Sequence, residues 1–118
     1  MALPINFKQK KSKHSLELSN QIQELKKKKN AVILAHYYQD DSIQEIADFL
    51  GDSLYLAQQA AKVKEDITVF AGVHFMAETA KIMSPEKKII LPDFSAGCSL
   101  AESITANDVR KLKKDNPG

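Results

Sequence analysis

Four side chains in this sequence have the types and positions that could do chemistry: His36, Tyr38, Ser53 and Cys98. A histidine can donate a hydrogen bond, act as a general acid or base, or bind an anion when protonated, and a nearby tyrosine adds a phenolic donor. A serine at a helix amino end can bind an anion. A cysteine thiolate can ligate a metal. These residue types favour anion binding, acid–base chemistry or metal ligation.

Each of these residues also has an ordinary structural interpretation. His36 could be a histidine satisfied at a helix boundary, and the local sequence favours Ser53 as a plain helix cap. Cys98 could be a small buried apolar residue. Gly97 favours a ligand instead, because a glycine lets the backbone approach a bulky group or adopt a positive φ. The residues alone leave these alternatives open.

Cys98 is the only cysteine in the chain. An internal disulfide is therefore excluded, and a reducing intracellular compartment is the default expectation. One thiolate cannot hold a metal centre alone, since zinc sites and iron–sulfur clusters take several ligands. The solitary position of Cys98 therefore argues against a complete metal centre within this sequence.

The length and composition predict one small, soluble, cytoplasmic domain of 118 residues. Lysines and arginines number 17 against 15 acidic residues, a net charge of +2, which is too balanced to indicate a nucleic-acid partner. The basic residues cluster at 8–13 and 26–29, where charge runs are usually solvated. No apolar run reaches membrane-spanning length, and the first residues lack the apolar core of a secretory signal.

Apolar patterning predicts alternating helices and short strands. Continuous apolar runs predict strands at 31–35, 67–71 and 88–91. Helical spacing predicts helices over 16–29, 43–50, 54–60 and 75–83, with a last helix after Thr105 and Asp108. This order is typical of an α/β layer fold with a small parallel sheet, here of three strands.

The helix over 43–50 has clear predicted ends. Ser42 and Glu45 have the spacing of a capping box, and Gly51 is expected to terminate the helix. Asp52 or Ser53 can then cap the helix that follows.

Residues after each predicted strand are the place to look for a site, because ligands bind outside the carboxyl ends of parallel strands. The segments 36–39, 72–76 and 93–99 would share one edge of the sheet. Within them, Tyr37 is predicted to be packed and His74 to be a surface or boundary residue. Phe75 and Met76 are expected in the core.

The carboxyl end predicts a continuation. Residues 116–118 read Asn-Pro-Gly, which is turn chemistry that normally connects a helix to another element. In a parallel α/β fold that element should be a strand. We therefore expect the sequence to be truncated.

Four blocks in register resemble the quinolinate synthase (NadA) family. They are Ala-His-Tyr-Tyr-Gln at 35–39, Ala-Asp to Gly-Asp-Ser with Leu-Ala beyond at 47–57, Phe-Ala-Gly-Val-His-Phe-Met-Ala-Glu-Thr-Ala-Lys at 70–81, and Leu-Pro to Ala-Gly-Cys-Ser-Leu-Ala at 91–101. The resemblance runs from about Leu16 to the end. It implies an amino-terminal domain only: a basic tail at 1–14, a first domain at 15–118, and no second or third domain.

The resemblance implies a three-layer αβα domain, one of three similar domains of the enzyme. It also implies the condensation of iminoaspartate (iminosuccinate) with dihydroxyacetone phosphate to quinolinate, with loss of phosphate and two waters. The family uses a [4Fe-4S] cluster held by one cysteine from each domain, and the open iron coordinates substrate as a Lewis acid.

Carried onto this sequence, the resemblance implies a role for each candidate. Cys98 matches the first of the three cluster ligands, whose other two are absent here. His36 and Ser53 match residues that bind the substrate carboxylates, which reverses the local preference for Ser53 as a plain cap. Tyr38 matches a catalytic tyrosine.

We expect a truncated quinolinate synthase that is inactive alone. The alternatives are a non-catalytic remnant, or a split-enzyme subunit that binds a chain carrying the missing domains. A third is a basic phosphate or nucleic-acid binder, whose salt-sensitive binding would depend on the amino-terminal lysines rather than on His36.

Overall fold

Apolar strands and amphipathic helices alternate along the chain and assemble into a parallel sheet with helices on its faces. The structure is a computed structural model that describes residues 12–118. Its elements, in chain order, are Lys13–Lys29 (α1), Ala31–His36 (β1), Asp41–Gln44 (α2), Phe49–Gly51 (β2), Ser53–Lys62 (α3), Ile67–Ala71 (β3), His74–Met83 (α4), Lys88–Ile90 (β4), Ser99–Glu102 (α5) and Ala106–Asp115 (α6). The predicted α/β class is confirmed. The predicted basic tail at 1–14 lies outside the described residues as far as Lys11.

The sheet has the order β2-β1-β3-β4, and all of its described neighbours pair in parallel. β1 lies inside the sheet and is buried from Val32 to His36. His36 pairs with Gly51 of β2, and Ala35 pairs with both Leu50 and Ala71. The carboxyl ends of β1, β2 and β3 are therefore level at one edge of the sheet.

The core lies between the sheet and helices α3 and α4. Phe70 and Leu34 are fully buried on the sheet, and Leu56 is fully buried on α3. Nine buried residues form the cluster: Val32, Leu34, Leu56, Ala60, Phe70, Met76, Ala77, Ala80 and Leu91. Small residues on both helices let them approach the sheet closely, since tight packing needs matched volumes.

The other face of the sheet is only partly covered. A groove of about 810 Å³ separates α1 and α2 from Ile33, Val69 and Ile90 of the sheet. Ile90 on β4 is 36% exposed. The two outer layers therefore differ: α3 and α4 seal one face, whereas α1 and α2 leave an apolar groove on the other.

The segment 43–50 is not the single helix that its spacing predicts. Only Asp41–Gln44 is helical, and Phe49–Gly51 is a fourth strand. Asp48 explains the change, because its backbone N–H donates to the Ile33 carbonyl and its carboxylate accepts from the Ile33 N–H, both at 2.8 Å. These bonds, with a 2.6 Å ion pair from Lys26, dock the segment on the free edge of β1. Tertiary pairing thus overrides local helical spacing.

The predicted ends of that helix are also wrong. Asp40 is the residue at the N-cap of α2, and Ser42 lies inside the helix. Gly51 ends a strand instead of a helix. A Cβ at Gly51 would overlap the Cδ1 atom of Tyr55, so the glycine allows the ring of α3 to lie against the end of β2.

Two predictions of burial are also wrong. Phe75 is 45% exposed and Tyr37 is 47% exposed, whereas Met76 is buried as expected. The helical stripe of α4 is narrower than its sequence suggests, because Met76, Ala77 and Ala80 alone face the core.

The last helix, α6, begins as predicted. Thr105 and Asp108 form a reciprocal capping box, in which the Thr105 hydroxyl accepts from the Asp108 N–H and the Asp108 carboxylate accepts from the Thr105 N–H. The Thr105 hydrogen bonds lower the pKa of Asp108. None of the residues of α6 is buried, so local capping and not core packing holds its start.

No helix among residues 12–118 combines the length and apolarity needed to cross a membrane.

Thr68 presents a buried hydroxyl in the middle of β3. Its Oγ1 atom is buried without a hydrogen-bond partner among the described residues, and an unpaired buried hydroxyl lowers stability. We expect Thr68→Val, which keeps the shape and removes the hydroxyl, to raise the free energy of unfolding by about 1 kcal/mol, measured by urea denaturation.

Thr79→Val is the matched control. The Thr79 hydroxyl is exposed and donates to the Phe75 carbonyl at 3.0 Å, so its removal should not stabilise the fold. A loss of stability in Thr68→Val would contradict the prediction.

Candidate functional site

Three aromatic rings gather where β1 ends. The His36 and Tyr37 rings stack with centroids 4.6 Å apart, and the Tyr38 ring lies 4.7 Å from His36. Tyr37 and Tyr38 meet edge to face at 4.6 Å. His36 is 8% exposed and Tyr38 is 80% exposed. The cluster thus places a reachable phenol beside a nearly buried imidazole.

A backbone hydrogen bond sets the protonation pattern of the His36 ring. The Tyr38 N–H donates to Nδ1 of His36 at 3.1 Å, so Nδ1 is the acceptor and carries no proton. In the neutral ring the proton then sits on Nε2. His36 therefore offers a defined N–H donor at the end of β1.

The second strand brings Ser53 to the same edge. The Tyr37 N–H donates to the Gly51 carbonyl at 3.1 Å, which ties the exit of β1 to the exit of β2. Ser53 follows two residues later as the first residue of α3. The short β2 strand, absent from the predicted elements, is what places Ser53 beside the exit of β1.

Ser53 is not the plain cap that local sequence favours. Asp52 caps α3 by accepting the Tyr55 N–H on its Oδ1 at 2.8 Å. Ser53 lines a groove of about 310 Å³ between α3 and α4. The cap of α3 is therefore the Asp52 carboxylate and not the Ser53 hydroxyl.

Tyr37 and Asp52 border the candidate site, although the sequence indicated only structural roles for them, packing for Tyr37 and helix capping for Asp52. The pKa of Tyr37 is raised, first by its side-chain hydrogen bond with Tyr38 and the charge interaction with that residue, then by partial desolvation and by the Asp52 carboxylate. Both residues adjoin assigned candidates in sequence. Their position next to these candidates in the sequence could have indicated a place at the site, but Tyr37 was interpreted as a packed residue.

The segment that follows β3 contacts the loop that follows β4. The His74 N–H, at the start of α4, donates to the Ala96 carbonyl at 3.3 Å. The His74 ring contacts Phe94 edge to face, with centroids 5.5 Å apart, and its Nε2 lies 3.3 Å from Glu78. His74 is thus a boundary residue, as predicted, and it fastens the loop that leads to Cys98.

A tight turn begins that loop. The Ser95 hydroxyl and N–H donate to Oδ1 of Asp93 at 2.6 and 2.8 Å. Both bonds lower the pKa of Asp93, and the bond from the hydroxyl has the larger effect. A lowered pKa stabilises the fold above the ordinary carboxyl pKa, and that contribution is lost as the pH falls through the lowered value.

We expect Ser95→Ala to raise the pKa of Asp93 toward its ordinary value, because the largest cause of the shift is removed. Carboxyl-carbon NMR titration measures this change. Ser103→Ala is the control, since the Ser103 hydroxyl donates to the Leu100 carbonyl at 2.6 Å and should leave Asp93 unaffected. An unchanged Asp93 pKa in Ser95→Ala would contradict the assignment.

Cys98 lies at the N-cap of the short helix α5 and is partly exposed. Gly97 beside it does not have a positive φ, so the close approach is the alternative that applies. The space where a Cβ would lie is taken instead by the Oε1 atom of Glu102. The glycine therefore permits a close approach by a carboxylate of the chain itself.

The structure brings His36 and Tyr38 into contact and places Ser53 two residues beyond Gly51, the β2 partner of His36. The paired exits of β1 and β2 carry His36, Tyr38 and Ser53. Within residues 12–118, no hydrogen bond, ion pair or ring contact joins Cys98 to those three. Cys98 belongs instead to the loop fastened by His74.

The described part of the chain contains no group of three or more histidine, cysteine, aspartate or glutamate side chains that could hold a metal ion. Cys98 is therefore a single potential ligand. The site geometry supports anion recognition by donors at the β1 and β2 exits, and it places one free cysteine on a separate loop.

The sequence profile described as "Quinolinate synthetase A protein" (NadA) matches residues 20–118. Curated relatives agree with this match. The chain is 63% identical over 98 residues to the quinolinate synthase of Cyanophora paradoxa, covering 83% of the chain and 30% of the relative. It is 57% identical over 101 residues to that of Caldicellulosiruptor saccharolyticus, covering 86% and 33%.

The match to the quinolinate synthase of Chloroherpeton thalassium extends further along the chain. It has 54% identity over 114 residues and covers 97% of the chain but 34% of the relative. The chain thus spans about a third of the length of the curated relatives that it matches.

Proposed function

The chain belongs to the quinolinate synthetase A (NadA) family, and we propose that it is the first domain of a quinolinate synthase that acts in NAD biosynthesis. The observation that carries the proposal is the family match over residues 20–118. The boundary between a tail at 1–14 and a domain at 15–118 is part of the proposal. So is a cytoplasmic location, where a reducing environment keeps the Cys98 thiol available.

The proposed reaction condenses iminoaspartate with dihydroxyacetone phosphate and releases phosphate and two waters. Iminoaspartate carries two carboxylates, which need fixed donors. Nε2–H of His36 and the hydroxyl of Ser53, at the amino end of α3, supply such donors from adjacent strand exits. We assign these two residues to carboxylate binding.

Tyr38 is the proposed catalytic residue. Its side chain is 80% exposed and its ring lies 4.7 Å from that of His36. A phenol in this position can exchange a proton with a substrate that His36 binds.

A [4Fe-4S] cluster is the cofactor that the proposal implies, and the donors of this chain fit it only in part. Cys98 is partly exposed on a loop and makes no side-chain cap bond, so its thiolate is free to ligate iron. It supplies one ligand, and the described residues offer no further set. Bound by additional cysteines, a cluster would supply a Lewis-acidic iron.

A second candidate function is a subunit that pairs with a chain carrying the other domains. Exposed apolar side chains flank Cys98: Phe94 is 74% and Leu100 is 80% exposed. Large exposed apolar side chains on one loop are what a surface covered by another polypeptide would present. Co-purification with such a chain, followed by recovery of activity on mixing, would favour this form over a non-catalytic remnant.

A chimera tests the main proposal. This chain replaces the matching third of the Chloroherpeton thalassium enzyme, to which it is similar over 114 residues, and quinolinate formation is assayed under anaerobic conditions. We expect the chimera to make quinolinate and the isolated chain to make none. The unmodified relative is the positive control. A folded but inactive chimera would favour the remnant, and turnover by the isolated chain would contradict the assigned need for further ligands.

A further inference from the structure

We propose that Gln44 is a positioning residue that fixes the His36 ring in its Nε2–H tautomer. It does so by holding the turn that follows β1. The inference rests on the proposed function, because the tautomer matters for binding only if His36 recognises substrate. Gln44 lies on α2 and outside the turn itself.

The Gln44 side chain bridges two carbonyl groups of that turn. Its Nε2 donates to the Tyr37 carbonyl at 2.9 Å and to the Gln39 carbonyl at 2.8 Å. A primary amide has two N–H donors, and here both are used. The Gln44 backbone is itself held, since its N–H donates to the Asp40 carbonyl at 3.1 Å.

The bridged turn is the one that orients His36. The Gln39 N–H donates to the His36 carbonyl at 3.0 Å and closes the turn. Between these residues, the Tyr38 N–H points at Nδ1 of the ring at 3.1 Å. Holding the carbonyls on either side of residue 38 fixes the direction of its N–H.

The opposite tautomer is incompatible with this arrangement. A proton on Nδ1 would face the Tyr38 N–H, so two donors would compete and Nε2 would become an acceptor. An acceptor at Nε2 cannot donate to a carboxylate. Gln44 therefore helps to keep the donor that the proposed substrate needs.

The bridge requires a side chain at position 44 that can donate hydrogen bonds. An ionised glutamate has the same length but only accepts hydrogen bonds, so it would repel both carbonyls. A lysine could replace the amide, because Lys81 already makes the same kind of bridge, from Nζ to the Pro85 and Lys87 carbonyls at 2.8 and 2.7 Å.

The test measures the tautomer directly on the isolated chain. Nitrogen-15 NMR of the imidazole nitrogens is recorded at about pH 8, where an ordinary imidazole is neutral, and the His36 signals are assigned by their loss in His36→Gln. We expect the wild type to carry its proton on Nε2. In Gln44→Glu the ratio of Nε2–H to Nδ1–H should fall about three- to tenfold.

Two further variants sharpen the result. Gln44→Lys should restore the wild-type ratio, and Gln21→Glu, the same change on the exposed side of α1, should leave it unaltered. If Gln44→Glu does not fold, Gln44→Met removes the donors without adding charge and is judged by the same ratio. An unchanged ratio in a folded donor-free variant would overturn the proposal.

The role of Gln44 and the proposed function can fail independently. The NMR measurement needs neither substrate nor cofactor, so an inactive chimera would leave a positive tautomer result standing. An active chimera with an unchanged tautomer ratio would instead refute the role of Gln44 and keep the proposed function.

Discussion

Cys98→Ala is expected to lower quinolinate formation by the chimera more than about 100-fold and to abolish its iron content. The reason is that Cys98 is the one thiol this chain can contribute to a cluster. Changes to residues that merely support metal ligands already cost about 10–100-fold, so loss of a ligand itself should cost more. Iron analysis and an anaerobic quinolinate assay measure the two effects.

The control for this variant is Ser99→Ala, which changes the next residue and keeps the thiol. Ser99 is exposed at the start of α5, so its loss should leave iron content and activity near those of the chimera. Full activity in Cys98→Ala would refute the ligand assignment. Loss of activity with retained iron would point instead to a role for the thiol outside the cluster.

Phe70→Ala is expected to have the largest effect on folding. Phe70 is fully buried between the sheet and the α3 and α4 helices, and truncation leaves a cavity that the surrounding side chains cannot close. Such changes cost about 3–5 kcal/mol, a large part of the total of about 5–15 kcal/mol for a typical domain. Urea denaturation followed by circular dichroism measures the loss.

Phe94→Ala provides a chemically identical comparison. Phe94 is 74% exposed and meets only the edge of the His74 ring among the described aromatic contacts, so its removal should change the free energy of unfolding by about 0.5 kcal/mol or less. Equal losses in the two variants would mean that the core does not centre on Phe70.

The fold was predictable from sequence where local pattern and tertiary role agree. The apolar runs of β1 and β3 and the helices α3 and α4 fall where expected, because these elements bury their periodic apolar residues. The helix α1 also lies where its spacing predicts, although none of its residues is buried. β2 was missed, since Phe49 and Leu50 continue a helical spacing and become a strand only by pairing with β1. A partner 15 residues away in sequence leaves no local signature.

The candidate site was also predictable from the sequence only in part. His36, Tyr38, Ser53 and Cys98 were recognisable by residue type and by their place after strands or before helices. Gln44 was not, because its function depends on which carbonyls its amide reaches, and that follows from the docking of α2. The roles of all four candidates are predictions, and Cys98→Ala tests one of them directly.

The contact between Gly51 and Tyr55 has an evolutionary consequence. Gly51 ends β2 and accepts the Tyr37 N–H, while the Tyr55 ring occupies the volume of a Cβ at position 51. A lineage could therefore gain a side chain at 51 only after losing the bulk at 55, so the two positions should vary together across homologous sequences. The order of those substitutions is constrained, because an intermediate with both side chains would force the Tyr55 ring or the end of β2 to move at the edge that carries the candidate site.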